Sequence, residues 1–194
     1  MMVIVMKSVL IISKSDEVSQ PLKELMSSEG YGDISLAYSA EQARKCVGER
    51  DFDVIIINTP ILDGGGIDLS VELTECSQAG IFVLMKGEVY EKLCDAVEAK
   101  GVFALQKPLN RAGFHQCLKI WEISKKRLLS LENENLKLKN QVEEIKIINR
   151  AKCTLMQCLT MSEQQAHRYI EKQAMDMRIS RFQVAQRVLS TYEL

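Results

Sequence analysis

The sequence predicts an α/β fold: a five-stranded doubly wound parallel sheet, then a long coiled-coil helix and a small three-helix C-terminal domain. Three observations predict it. Short apolar runs alternate with amphipathic helical stretches over the first 120 or so of the 194 residues, and βα units in series imply a parallel sheet with right-handed crossovers. The third run, DVIII at 53–57, is apolar throughout, as suits a central strand covered by helices on each face. No proline follows Pro108 and no glycine follows Gly113, so the rest of the chain reads as helix.

The elements follow in order. SVLII (8–12) is the first strand. Leu22, Leu25 and Met26 mark one face of the first helix, which Gly30 ends. Pro21 belongs in that helix's first turn, because deeper in it removes a hydrogen bond and clashes. DISLAY (33–38) is the second strand, and Ser39 is placed to cap the helix AEQARKCVGE. After the third strand comes the loop TPILDGGG, then a helix from about Ile67 to Cys76. IFVLM (81–85), the helix EVYEKLCDAVEA and VFAL (102–105) complete the alternation.

A single helix is expected from about Arg111 to about Leu159, some 70 Å at 1.5 Å per residue. Leu128, Leu131, Asn135, Leu138, Val142, Ile145 and Asn149 recur alternately three and four apart. This is a heptad seam with Leu131, Leu138 and Ile145 at d, and Leu128 and Val142 at a. Asn135 and Asn149 also fall at a, where asparagine lowers stability but favours a parallel, in-register dimer. The expected partner is a second copy of the chain; the alternative is packing of the stripe on the chain's own surface. Beyond it, Thr160-Met161-Ser162 breaks the helix and Ser162 caps the next, which runs to about Met177. Ala166, Tyr169, Ile170, Ala174 and Met175 sit at core spacing there. Ser180 caps a last helix whose apolar face is Val184, Ala185, Val188 and Leu189. Leu155 and Met156 are expected in the same core.

Composition narrows the function classes. No apolar run approaches the ~18 residues that a membrane helix needs. MMVIVM lacks the basic start and small-residue cleavage site of a signal peptide. A cytoplasmic protein is expected, and its six scattered cysteines, with no C-x-x-C pair and only two histidines, read as free thiols rather than a metal site. Charge is segregated. Residues 1–120 carry net −5, residues 121–149 net +1 and residues 150–194 net +3. A polyanion would therefore bind the tail.

Two families resemble this chain. Residues 8–120 resemble a response-regulator receiver domain through the strand order, the loop after DVIIIN, and Lys107-Pro108 after the fifth strand. Residues 148–194 are similar to the ANTAR domain of AmiR/NasR-type antiterminators. Arg150-Ala151-Lys152, Leu155-Met156, Ser162-Glu163, Ala166, Tyr169, Ala174-Met175, Arg178, Val184-Ala185 and Leu189 carry that likeness. The implied domains are a pseudo-receiver at 1–120, a coiled-coil helix at 121–149 and an ANTAR domain at 150–194.

The receiver resemblance implies an aspartyl phosphoacceptor, an acidic pair that holds Mg²⁺, a hydroxyl residue and a lysine whose bond to proline is usually cis. Here the phosphoacceptor position is Asn58, whose amide cannot form an acyl phosphate. The acidic pair reads Ser13 and Lys14, and the hydroxyl position reads Lys86. Only Lys107 is kept. Asp16, Glu17 and Asp63 are near in sequence but do not restore the pattern. A pseudo-receiver is expected, with no phosphate on aspartate, no metal and no cofactor. Lys14, Lys86 and Lys107 crowd like charge where an anion would sit; the preferred expectation has Lys14 and Lys86 in solvent and the pocket inert.

The ANTAR resemblance implies RNA as partner, held as paired hairpin loops in leader transcripts to stabilise an antiterminator. Lysine and arginine hold phosphates, and splayed bases are read by polar, arginine and aromatic groups. The candidates are Arg150, Lys152, Arg168, Gln173, Arg178, Ser180 and Arg181; Tyr169 is assigned to the core. The expected function is transcription antitermination by a non-enzymatic homodimer, with control left open, in place of phosphorylation, between a regulatory protein partner, a small ligand and abundance alone. The alternative is a protein-interaction module that works through coil and pseudo-receiver without RNA. Duplex DNA is disfavoured by the weak positive charge and the lack of a recognition helix.

Overall fold

A computed structural model describes residues 6–192; the leader reading of MMVIVM falls almost wholly outside them. The chain divides at Ile123/Ser124 into two compact units. The first is a parallel sheet in the order β2-β1-β3-β4-β5, which is the flavodoxin-like form of the doubly wound fold. Its strands are β1 (Lys7–Ile12), β2 (Tyr31–Ala37), β3 (Val54–Asn58), β4 (Gly80–Met85) and β5 (Phe103–Gln106). Its helices are α1 (Asp16–Ser28), α2 (Ala40–Glu49), α3 (Gly66–Cys76), α4 (Gly87–Glu98) and the start of α5 (Arg111–Leu159). Two shorter helices, α6 (Glu163–Met177) and α7 (Arg181–Tyr192), follow in the second unit.

The period of two along each strand divides the core. Leu10, Ile12, Ile55, Ile57, Ile81 and Val83 pack on one face with Ala43 of α2, Leu69 and Leu73 of α3, and Val97 of α4. Val9, Ile11, Val54, Ile56, Phe82 and Leu84 pack on the other with α1 and with Phe114 and Leu118 of α5. The pairing Ile12↔Ile57 between β1 and β3 and Ile57↔Val83 between β3 and β4 keeps each row in register. Phe82 stacks on Phe103 at 4.7 Å between centroids, and Phe103 meets the edge of Trp121 at 6.1 Å. Gly80 leaves room for that indole: a Cβ there would stand 2.5 Å from its Nε1.

The strand ends fall within two residues of the expected ones, and α5 has the expected bounds. Ser39 accepts from the Gln42 N–H and caps α2. Pro21 is a correction. Ser15 is the extended N-cap residue, so α1 starts at Asp16 and Pro21 lies beyond its first turn. The missing N–H leaves the Glu17 carbonyl without its helical donor, and both residues are exposed, so solvent can take that oxygen.

The second unit has a core of its own. Ala151 and Leu155 of α5, Ala166, Ile170 and Ala174 of α6, and Val184, Ala185 and Val188 of α7 are buried together. Ile147, Ile148, Tyr169 and Leu189 pack against them. Met156 and Met175 are corrections: both are exposed. Nine residues at 3.6 per turn bring Met175 about half a turn from Ala166, so it leaves the stripe that Ala166, Ile170 and Ala174 share. Ser162 caps α6 in a reciprocal capping box with Gln165. Ser180 caps α7 in the same way with Gln183.

Candidate functional site

The carboxyl ends of the strands bring together the residues of the altered phosphoacceptor position. In an open parallel sheet these ends form the usual ligand crevice. Asn58 ends β3 and is 8% exposed. Its Oδ1 is buried with no hydrogen-bond partner. Ser13 follows β1, is fully buried and turns its hydroxyl to the Ser15 carbonyl and the Ser19 hydroxyl. Lys107 follows β5 and donates from Nζ to the Thr59 carbonyl. The Lys107–Pro108 bond is cis, as is Thr59–Pro60. Lys14 and Lys86 are exposed, and Lys86 is the N-cap residue of α4.

The electrostatics of this crevice are one-sided. Partial burial holds the Lys107 ammonium below its ordinary pKa, and the charges of Lys86 and Lys14 lower it further. Two of the three acidic residues nearby in sequence are engaged elsewhere. Asp16 pairs with Lys23 at 2.6 Å, and Asp63 accepts from the Ala40 N–H at 2.7 Å, at the start of α2. Mg²⁺ requires oxygen donors, carboxylates above all. This donor set does not fit it: the Ser13 hydroxyl is committed and Lys14 supplies a cation. Asn58 cannot accept a phosphoryl group as a carboxylate does.

The second unit gathers cations around the α6–α7 corner. Arg178 is the C-cap residue of α6, exposed, with a left-handed backbone (φ 54°). It stands three residues before Arg181, the first residue of α7. Arg181 reaches Glu171 at 3.4 Å, and His167 meets the same carboxylate at 3.3 Å. Arg168 is exposed on α6, and Arg150 is exposed on α5. Lys152 folds along the protein, with its side chain 16% exposed and its ammonium 3.2 Å from Glu163. The Ser180 hydroxyl accepts from the Gln183 N–H, so the first turn of α7 already has a side-chain acceptor.

Residues 9–119 match the response regulator receiver domain family, and residues 136–189 match the ANTAR domain family. The chain belongs to the ANTAR response regulators. It is a transcription regulator of that family. A curated relative, the transcriptional regulatory protein PdtaR of Mycobacterium tuberculosis, is 26% identical over 185 residues, 95% of this chain and 90% of that one. Solved structures resemble the receiver in fold. A two-component response regulator from Clostridium difficile is 24% identical with a TM-score of 0.51, and covers 59% of this chain and 94% of its own. The adenylate cyclase structure from Rhodopirellula baltica is 18% identical with a TM-score of 0.57, and covers 69% of this chain and 98% of its own. At these identities the two structures speak for the fold alone.

Within the ANTAR regulator, α5 carries the heptad stripe in the open. Leu128, Leu131, Leu138, Val142 and Ile145 are each 50–58% exposed, and Asn135 and Asn149 are exposed as well. Within the second unit the stripe is left uncovered. Gln173 is half-buried on α6, closer to the core than the arginines. Three residues at these sites escaped sequence reasoning. The Thr59 carbonyl that holds Lys107 is a backbone group, which no side-chain pattern announces. Glu163 holds Lys152 from eleven residues away, and Glu171 bridges His167 and Arg181. The Glu171–Arg181 pair spans a turn, outside any helical period. No helix among the described residues is long and apolar enough to cross a membrane.

Proposed function

We propose that this chain is an RNA-binding transcription antitermination regulator that works as a parallel dimer without aspartyl phosphorylation. The observation that carries the reading is the folded ANTAR unit with Arg168, Arg178 and Arg181 exposed on α6 and at the start of α7. Those cations suit phosphates and unpaired bases of a hairpin loop. Arg150 extends the set along α5. Lys152 and Ser180, already engaged with Glu163 and Gln183, contribute through backbone position more than through free donors. The exposed heptad stripe supports a second copy as partner. Two ANTAR units on one coil match two adjacent loops, and linkage raises affinity through effective concentration. The receiver acts as an intracellular platform for control by something other than phosphate, since Asn58 stands where a carboxylate is needed.

The test is crosslinking of the protein in its host with sequencing of the bound RNA, and no phosphodonor supplied. Enrichment of leader transcripts with two adjacent hairpin loops is the expected result. No RNA above background moves the function to a protein-interaction module built on coil and receiver. In vitro, Arg178→Ala with Arg181→Ala weakens hairpin binding and makes the salt dependence shallower by about two phosphate contacts. Unchanged affinity and slope remove both residues from the interface.

A further inference from the structure

The receiver holds a cavity that RNA binding does not use. It measures about 310 Å³, at the lower end of the range for small-ligand sites. Leu22 and Leu25 of α1 and Leu84 of β4 are buried along it, and Asn58 is buried beside them. Half-buried Lys107 and exposed Arg111 supply its charged lining.

Three observations indicate what it takes. The Asn58 amide carries a buried oxygen with no donor. A half-turn of that amide presents Nδ2, a donor, in the same place. Lys107 uses one hydrogen on the Thr59 carbonyl and keeps two. Among the described residues no carboxylate pairs with Lys107 or Arg111, and Lys14 and Lys86 stand close enough to add positive potential at Lys107. Three leucines beside a cationic, amide-bearing lining make an amphipathic site. A bare mineral anion would leave the apolar wall unused.

We propose that this cavity binds a small organic carboxylate with an apolar body. The head meets Lys107, Arg111 and the Asn58 amide, and the body lies against Leu22, Leu25 and Leu84. The site replaces a covalent phosphoryl group by a reversible anion, and Arg111 ties it to the first residue of α5. The inference stands apart from the RNA-binding reading and is tested without RNA.

The experiment is titration of the full-length protein with hexanoate, followed by calorimetry and by the methyl signals of Leu22, Leu25 and Leu84. Acetate, hexylamine and inorganic phosphate are the comparison probes. Hexanoate is expected to bind about tenfold or more tighter than acetate, given the apolar surface that each added methylene buries. Arg111→Gln changes an exposed residue and leaves folding intact; it weakens hexanoate several-fold. Hexanoate raises the melting temperature of the parent protein; Asn58→Leu raises that of the free protein and abolishes the hexanoate-dependent increase. Equal binding of hexanoate and acetate overturns the apolar wall as a determinant. Phosphate binding as tight as hexanoate overturns the carboxylate, and hexylamine binding as tight overturns the anion. Unchanged hexanoate affinity in both variants places the ligand elsewhere.

Discussion

The receiver and the ANTAR unit reverse the chain with different residues. In the receiver, the left-handed positions after α1, before α3 and after α4 are glycines: Gly30 (φ 87°), Gly64 (φ 77°) and Gly101 (φ 84°). In the ANTAR unit, the same conformation is taken by Thr160 (φ 52°) and Arg178 (φ 54°). Glycine enters this region freely, whereas an L side chain meets a carbonyl there at a cost of roughly 1–2 kcal/mol. The receiver's turns are built for backbone geometry alone. The ANTAR unit accepts strain at two turns and keeps a side chain at each. At Arg178 the side chain is a cation on the face proposed for RNA; nothing in the structure explains Thr160.

The contrast extends to where each unit finds its support. The receiver fills both faces of its sheet from its own helices. The ANTAR unit has a small core, and the heptad stripe above it is exposed. Leu131→Glu with Leu138→Glu therefore produces the largest expected effect. Sedimentation of the variant gives a monomer at micromolar concentration, and hairpin RNA affinity falls by about 10²-fold or more through lost avidity. The receiver's own thermal transition is unchanged. A variant that stays dimeric would show that another surface joins the copies.

Backbone strain separates the two turns of the ANTAR unit. Thr160→Gly and Arg178→Gly each relieve a left-handed L residue, offset in part by the greater freedom of glycine in the unfolded chain. Both stabilise the unit by about 0.5–1 kcal/mol in denaturant titrations. Only Arg178→Gly also weakens RNA binding, by about tenfold. If Arg178→Gly binds RNA as the parent does, the strained cation is not a contact, and the comparison between the units loses its functional meaning.

Much of this arrangement could be read from residue order. The apolar runs located all five strands: β3 and β4 are central and buried along their whole length, β1 is buried over its last four residues, and the edge strands β2 and β5 show through partly buried runs. The lack of proline after Pro108 and the break at Thr160-Met161-Ser162 together bounded α5. Asn58, Lys14 and Lys86 are an amide and two cations at positions where the receiver resemblance implies carboxylates and a hydroxyl. What escaped was set by three-dimensional neighbours. Pro21 falls beyond the first turn because α1 starts at Asp16, earlier than the apolar positions indicate. Met175 looked like a core residue beside Ala174, yet lies half a turn from Ala166. The cavity along α1 was invisible, because Leu22, Asn58, Leu84 and Arg111 come from four separate elements. The commitment of Lys152 to Glu163 was hidden for the same reason.

Charge offers the smallest and last distinction between the units. In the receiver, Glu122 is 22% exposed and accepts from Lys7 at 2.5 Å and from Lys119 at 3.1 Å. Burial alone would raise its pKa, but the hydrogen bonds from the two lysines outweigh it and hold the carboxyl below its ordinary value. In the ANTAR unit, Glu171 meets His167 and Arg181 with all three side chains 44–58% exposed. A carboxylate with a lowered folded pKa binds fewer protons folded than unfolded. Its contribution is full above the unfolded value near 4.3 and is lost as pH falls through the folded value. Glu122→Gln should therefore lower receiver stability by at most about 1 kcal/mol at neutral pH, since Lys7 is partly in solvent. The difference between variant and parent should vanish in acid below the folded pKa. Glu171→Gln should change ANTAR stability by less than about 0.5 kcal/mol at either pH. Urea titrations of both variants at neutral pH and in acid check this; a larger effect at Glu171 would mean that an exposed network, and not partial burial, governs the pH response.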